Sequence, residues 1–233
     1  MKKIVLAVVL TGGLFPLCAQ DFYWGAYFYP NYSNRRLIAI GANLSEQMIQ
    51  EIEDRETGKL SFSGGGHAGW RGEKAGFQFG LGFTETGYQT VREAVPPDSP
   101  DAGNASQQKF IYRNYNLELP IELQFIHELD SRNYFYFMLG GAASYNLANN
   151  EIKVLYSGDT SQRDDAPEPE QVYRRTNFAF QTGIGWEHNI SDRTYLYLQP
   201  NFQFWLSGLY QDATINRSLY NLGLKLGVKF YRE

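Results

Sequence analysis

The residues able to do acid–base or nucleophilic chemistry are few and widely spaced. Histidine occurs only at 67, 127 and 188, and the single cysteine is Cys18. Ser63 and His67 share one side of an extended segment, yet four residues separate them by about 13 Å along a strand, beyond hydrogen-bond reach. His127 and His188 fall beside short turns. No Ser–His–acid set and no metal-ligand spacing emerges, so the expected protein is not an enzyme and carries neither metal nor cofactor. The carboxylates pose a different question. In NYNLELPIELQF (114–125), Glu118 and Glu122 alternate with Leu117, Leu119, Ile121 and Leu123, so one face of this segment suits oil and the other carries two acids.

Alternation of this kind needs a β-strand, in which successive side chains point to opposite faces. It recurs along the chain. From Tyr220, one face reads Tyr220, Leu222, Leu224, Leu226, Val228, Phe230 and the other Asn221, Gly223, Lys225, Gly227, Lys229. RTYLYLQPNFQFWL, TNFAFQTGIGW, NYFYFMLGGAASYNL and KAGFQFGLGF show the same pattern, and KLSFSGGGHAGW and FYWGAYFYP bring the count to eight. Arg71–Lys74, Asp130–Arg132 and Asn189–Arg193 make short turns, whereas VREAVPPDSPDAGNASQQ and GDTSQRDDAPEPEQ belong to long polar connections. Short turns at one end and long loops at the other predict an all-β fold: an eight-stranded antiparallel up-and-down transmembrane β-barrel with periplasmic turns and extracellular loops.

By residue count Trp24, Trp70, Phe125, Phe135, Trp186 and Phe230 all fall at one level on the oily face, as an interfacial aromatic girdle at the periplasmic end would require. A soluble sandwich would also alternate, but the girdle, the loop asymmetry and the N-terminus together favour the membrane. The lumen-facing charged set is then Lys74, Glu118, Glu122, Arg175, Glu187, Lys225 and Lys229. An eight-stranded barrel is only wide enough for its side chains to fill. The set therefore predicts a charge-paired plug in which Lys225 or Lys229 reaches Glu118 or Glu122, with a narrow pore as the alternative. Pro120 cannot donate to a ladder and marks a suspected bulge. In the first long connection Leu44, Met48, Ile49 and Ile52 recur at near-helical spacing, with Asn43 as cap; they predict a short helix over the barrel mouth.

The N-terminus, MKKIVLAVVLTGGLFPLCAQ, pairs Lys2 and Lys3 with an interrupted apolar run too short to span a bilayer, and reads as a signal peptide over 1–19. Phe15, Pro16 and Leu17 fit a lipidation cut before Cys18 poorly. One domain, 20–233, remains. Net charge is −4, which gives no basic field for nucleic acid, and aromatic residues, with 17 tyrosines among them, need a place to go.

The lysine-rich start ending in CAQ, YFYPNYS at 27–33, YNLELPIEL at 115–123 and the end LGLKLGVKFY together resemble the PorT-like outer-membrane β-barrel proteins of the Bacteroidota. The most specific element is Tyr115, Leu117, Glu118 and Pro120, in the family's Y-x-L-E-x-P pattern. Arg232 and Glu233 depart from it, since the usual assembly signal ends in an aromatic. The resemblance implies integral residence in the bacterial outer membrane among its lipids. For the member PorT it implies a place in a protein-secretion apparatus, so other envelope or secretion-complex proteins are candidate partners. The expected role is a structural or interaction component of the envelope; a small-solute porin comes second and a surface-loop adhesin third.

Overall fold

Eleven strands and one helix form in chain order: β1 (Asp21–Ala39), α1 (Glu46–Arg55), β2 (Glu56–Thr57), β3 (Lys59–Arg71), β4 (Ala75–Thr90), β5 (Glu93–Ala94), β6 (Gln107–Asp130), β7 (Asn133–Ser157), β8 (Thr160–Asp165), β9 (Thr176–Ser191), β10 (Thr194–Trp205) and β11 (Ile215–Tyr231). The computed structural model describes residues 21–39, 45–165 and 171–232. The signal segment with Cys18, the cap at Asn43, Leu44 and the loop prolines Pro167 and Pro169 lie outside the described residues.

Eight of the strands pair antiparallel in the ring β1–β3–β4–β6–β7–β9–β10–β11. The ring closes on itself through β1 and β11, from Tyr23–Tyr231 to Ala39–Ile215. Ring neighbours follow one another in sequence, so this is an up-and-down barrel with no free edge. The expected count of eight describes the ring and misses three short strands, because β2, β5 and β8 carry no oily–polar alternation. All three extend the wall at the long-loop end, on β4, β6 and β7.

The polarity of the barrel is inverted relative to a soluble protein. Leu117, Leu119, Ile121, Leu123 and Phe125 are exposed on the outside, while Asn116, Glu118, Glu122 and Gln124 are buried within. The same division runs through β9, β10 and β11. An outer surface of Leu, Ile and Phe this continuous needs a solvent of hydrocarbon. No described helix is long and apolar enough to cross a membrane; strands are the elements that can.

Three connections are tight: Gly72–Lys74, Ser131–Arg132 and Asp192–Arg193. In the second, Asp130 accepts the backbone N–H of Arg132 at 2.8 Å and of Asn133 at 3.0 Å. Those bonds, that of Arg132 foremost, hold its carboxyl below the usual carboxylate range.

Pro120 makes no bulge. The β4–β6 ladder passes from Phe79–Ile121 to Gly82–Glu118 without a register shift, because a missing N–H costs one rung and does not demand an extra residue. Pro30 and Pro200 interrupt the β1–β11 and β10–β9 ladders in the same way. The irregularities in β6 lie instead at Tyr115/Asn116 and Glu128/Asp130.

The tyrosines are accommodated over glycines. A Cβ at Gly185 would overlap the ring of the fully buried Tyr136, and one at Gly227 would overlap Tyr197. Each inward ring thus lies flat on a neighbouring strand that has no side chain there. Gly185→Ala is expected to cost about 1 to 3 kcal/mol by overpacking, read as a lowered urea midpoint in lipid vesicles. Tyr136→Phe should not rescue it, since the ring itself is in the way; an unchanged midpoint for Gly185→Ala would refute the packing argument.

The cap of α1 is Ser45 and not Asn43 as expected: the Ser45 hydroxyl accepts the Met48 N–H. None of its residues is buried, so it does not close the mouth as expected. Arg35 on β1 reaches its C-terminal carbonyls, Glu53 at 3.1 Å and Ile52 at 3.4 Å, a favourable place for a cation.

Candidate functional site

The inward faces of the eight ring strands converge on one feature, a lumen filled by layered polar contacts. Nearest the short turns, Glu187 on β9 takes both Lys229 from β11 and Arg71 from β3. Lys229 also donates to Gln124 at 3.1 Å, and Arg71 to the Tyr231 hydroxyl at 3.1 Å. The Arg71 guanidinium lies 4.2 Å from the Tyr134 ring centre and the Lys229 ammonium 4.7 Å from that of Tyr23, so aromatic faces take the place of water around both cations.

One layer further, Lys225 donates to Glu122 at 2.7 Å, and Gln78 completes the carboxylate at 3.0 Å. His67 stands beside this pair among Tyr23, Tyr27 and Tyr197, with ring centres 5.8 to 6.2 Å away. Neither of its ring nitrogens has a hydrogen-bond partner among the described residues. Above it Glu118 accepts from Thr84 and Gln203, each at 2.9 Å, with no cation among the described residues bonded to it. Towards the long loops Lys59 pairs with Glu85 at 2.5 Å, and Glu56 is held between Arg35 at 2.8 Å and Arg217 at 2.5 Å.

Of the charges expected in the lumen, Glu118, Glu122, Glu187, Lys225 and Lys229 are buried there. Lys74 and Arg175 are exposed, because each precedes the first residue of its strand and the chain has already turned over the rim, where parity no longer sets direction. Arg71 occupies the position parity gives it, two residues beyond Gly69 and four beyond His67. Lys59 and Arg35 follow the same rule on their strands. Glu118 and Lys225 do not meet; Lys225 goes to Glu122 and Lys229 to Glu187.

The aromatic set Trp24, Trp70, Phe125, Phe135, Trp186 and Phe230 lies at the short-turn end, with Trp24, Phe125, Phe135 and Trp186 exposed and Trp70 and Phe230 partly buried. Trp24 meets Phe230 at 4.8 Å, Trp186 is in register with Phe135, and Phe125 with Ala75 at the start of β4.

The long-loop mouth is closed from within. The β10–β11 connection folds inward, burying Leu209, Tyr210 and Ala213 against Tyr88, Trp205 and Leu219, with Tyr112 and Tyr173 packed beside them. Arg174 ties the connection down through the carbonyls of Gly208 and Tyr210 at 3.3 and 3.5 Å. Small, partly open spaces of about 20 Å³ beside Asn114, Ser144 and Trp205 and about 10 Å³ beside Glu118 and Lys225 are each of a size for a single water.

The lumen as built can balance charge and exclude solute; it holds no reactive constellation. Ser63 receives a long hydrogen bond from Asn31, 3.5 Å, and is not linked to His67. His188 is bonded to Asn133 at 2.9 Å. Among the described residues no group of three His, Cys, Asp or Glu could hold a metal ion.

Comparison with known proteins adds family to geometry. The chain resembles the outer membrane protein OprG of Pseudomonas aeruginosa, with 10% identity over 92% of this chain and 97% of that one and a TM-score of 0.50. Neisserial surface protein A aligns at 13% identity, 91% and 97% coverage and a TM-score of 0.46. The outer membrane protease OmpT of Escherichia coli aligns at 8%, 91% and 97%, with a TM-score of 0.41. At such identities the likeness is one of fold. No curated protein matches the chain by sequence. The family model described as outer membrane protein beta-barrel domain matches residues 18–232, nearly the whole chain, and the chain belongs to that outer-membrane family.

Proposed function

We propose that this barrel is a non-catalytic, closed-lumen component of the outer membrane that acts through its surfaces, as a structural or interaction partner of other envelope proteins. The observation that carries this reading is the double closure of the lumen, by the Arg71–Glu187–Lys229 layer below and the inward β10–β11 connection above. Purified protein in planar bilayers should show no steady channel; a stable open conductance would overturn the reading and promote the small-solute porin. The PorT-like assignment, and with it association with a secretion complex, rests on Tyr115, Leu117, Glu118 and Pro120. It is tested by crosslinking in native membranes.

The proposal includes export by a signal segment cleaved after Ala19, and short turns facing the periplasm. Cysteines at Ser99 and Ser161 are expected to react with a membrane-impermeant maleimide on intact cells, and one at Ser131 is not. Labelling at Ser131 alone would invert the barrel. The adhesin reading is favoured by one observation: β6 and β7 run to 24 and 25 residues, and β8 beside them is exposed at every position.

A further inference from the structure

Between α1 and the outside of the wall lies an open groove of about 770 Å³. Its barrel side includes Phe202 and Phe204 of β10 and Tyr220 of β11. These continue the apolar outer belt towards the long-loop end, Phe202 and Tyr220 lying 6.1 Å apart between ring centres. Beside them Arg36 on β1 is exposed and forms no ion pair among the described residues. The helix contributes Glu53 and Asp54, both exposed, with Asp54 accepting from Gln50 at 3.0 Å.

We infer that this groove binds a zwitterionic lipid bearing phosphoethanolamine. The acyl chain would lie along Phe202, Phe204 and Tyr220, with the phosphate on Arg36 and the ammonium on Glu53 and Asp54. The argument is complementarity together with continuity. The floor extends a surface that already faces hydrocarbon, so a chain reaching it leaves no apolar gap. An Arg guanidinium matches phosphate oxygens, and a primary ammonium can donate to two carboxylates. A purely anionic lipid would bring its charge beside those carboxylates with nothing to offset them.

The inference rests on the membrane reading above, and the test separates the two. Protein in detergent micelles is first checked for the heat-dependent gel shift of a folded barrel, then offered phosphatidylethanolamine, phosphatidylglycerol and phosphatidylcholine of identical chains, with retention read by native mass spectrometry. Phosphatidylethanolamine should be retained about tenfold more than the other two, since phosphatidylcholine has no ammonium N–H and phosphatidylglycerol no ammonium, and each charge-assisted contact is of that order. Glu53→Gln with Asp54→Asn should abolish the preference over phosphatidylglycerol; Arg36→Ser should lower retention of both. These side chains are exposed, so the wall should still fold in every variant. Equal retention of the three lipids by a folded barrel, or a preference untouched by either variant, overturns the site. Absence of a folded barrel in detergent or vesicles overturns the membrane reading instead.

Discussion

Glu187→Gln is expected to destabilise the folded barrel by about 3 to 5 kcal/mol, the usual cost of removing one partner from a buried ion pair. The carboxylate and the Lys229 side chain are each only 1% exposed, and Arg71 shares the same acid, so the substitution strands Lys229 where water does not reach and takes from Arg71 its ion-pair partner. Lys229→Met combined with Glu187→Gln should recover most of the loss, because Arg71 keeps Tyr231 and the ring of Tyr134 and is partly exposed at the short-turn mouth. The measurement is reversible urea unfolding in lipid vesicles, followed by tryptophan fluorescence. A double variant no more stable than Glu187→Gln alone would falsify the pairing. Glu118→Gln makes the control: its partners are the neutral Thr84 and Gln203, and an amide in its place leaves no cation behind.

Leu119→Arg should cost about 2 to 4 kcal/mol, whereas Phe125→Arg should cost about 0 to 1, because the penalty for a basic side chain on the lipid face falls from the midplane to the interface. Both residues are on β6 and similarly exposed, 56% and 54%, so exposure alone does not separate them. Depth does: Phe125 is level with the first residue of β4, while Leu119 lies six residues further from the turns. Equal costs in the same vesicles would mean that this face does not lie across a bilayer.

Alternation made the barrel legible because a strand has only two faces and the bilayer punishes the wrong one. It assigns Glu118, Glu122, Glu187, Lys225 and Lys229 to the inside, since each sits opposite an oily neighbour on its strand. Parity fails where the chain is not yet a strand, as at Lys74 and Arg175, which it points inward and the structure leaves exposed. It fails again where both faces are covered: Thr84 to Tyr88 are buried at five consecutive positions, so nothing in TETGY marks Glu85 as the partner of Lys59. The closure of the mouth was the least legible part. Leu209, Tyr210 and Ala213 have no period, and their burial depends on Tyr88 and Trp205 meeting them from strands distant in sequence. Helical spacing marks 44–52 as a helix, but a helix shows its oily side whether or not anything covers it.

The length of the β6–β7 hairpin has a consequence in sheer height. At about 3.3 Å per residue and a tilt near 40°, the roughly ten residues of β7 beyond Leu147, the last of its large apolar side chains to stand exposed, rise on the order of 25 Å past that point. That is comparable to the thickness of the belt itself, about 25 Å. The hairpin is thus a mast, carrying β8 clear of the lipid headgroups. A macromolecule too bulky to approach the bilayer surface would meet β8 first, and the rest of the barrel would be hidden beneath it.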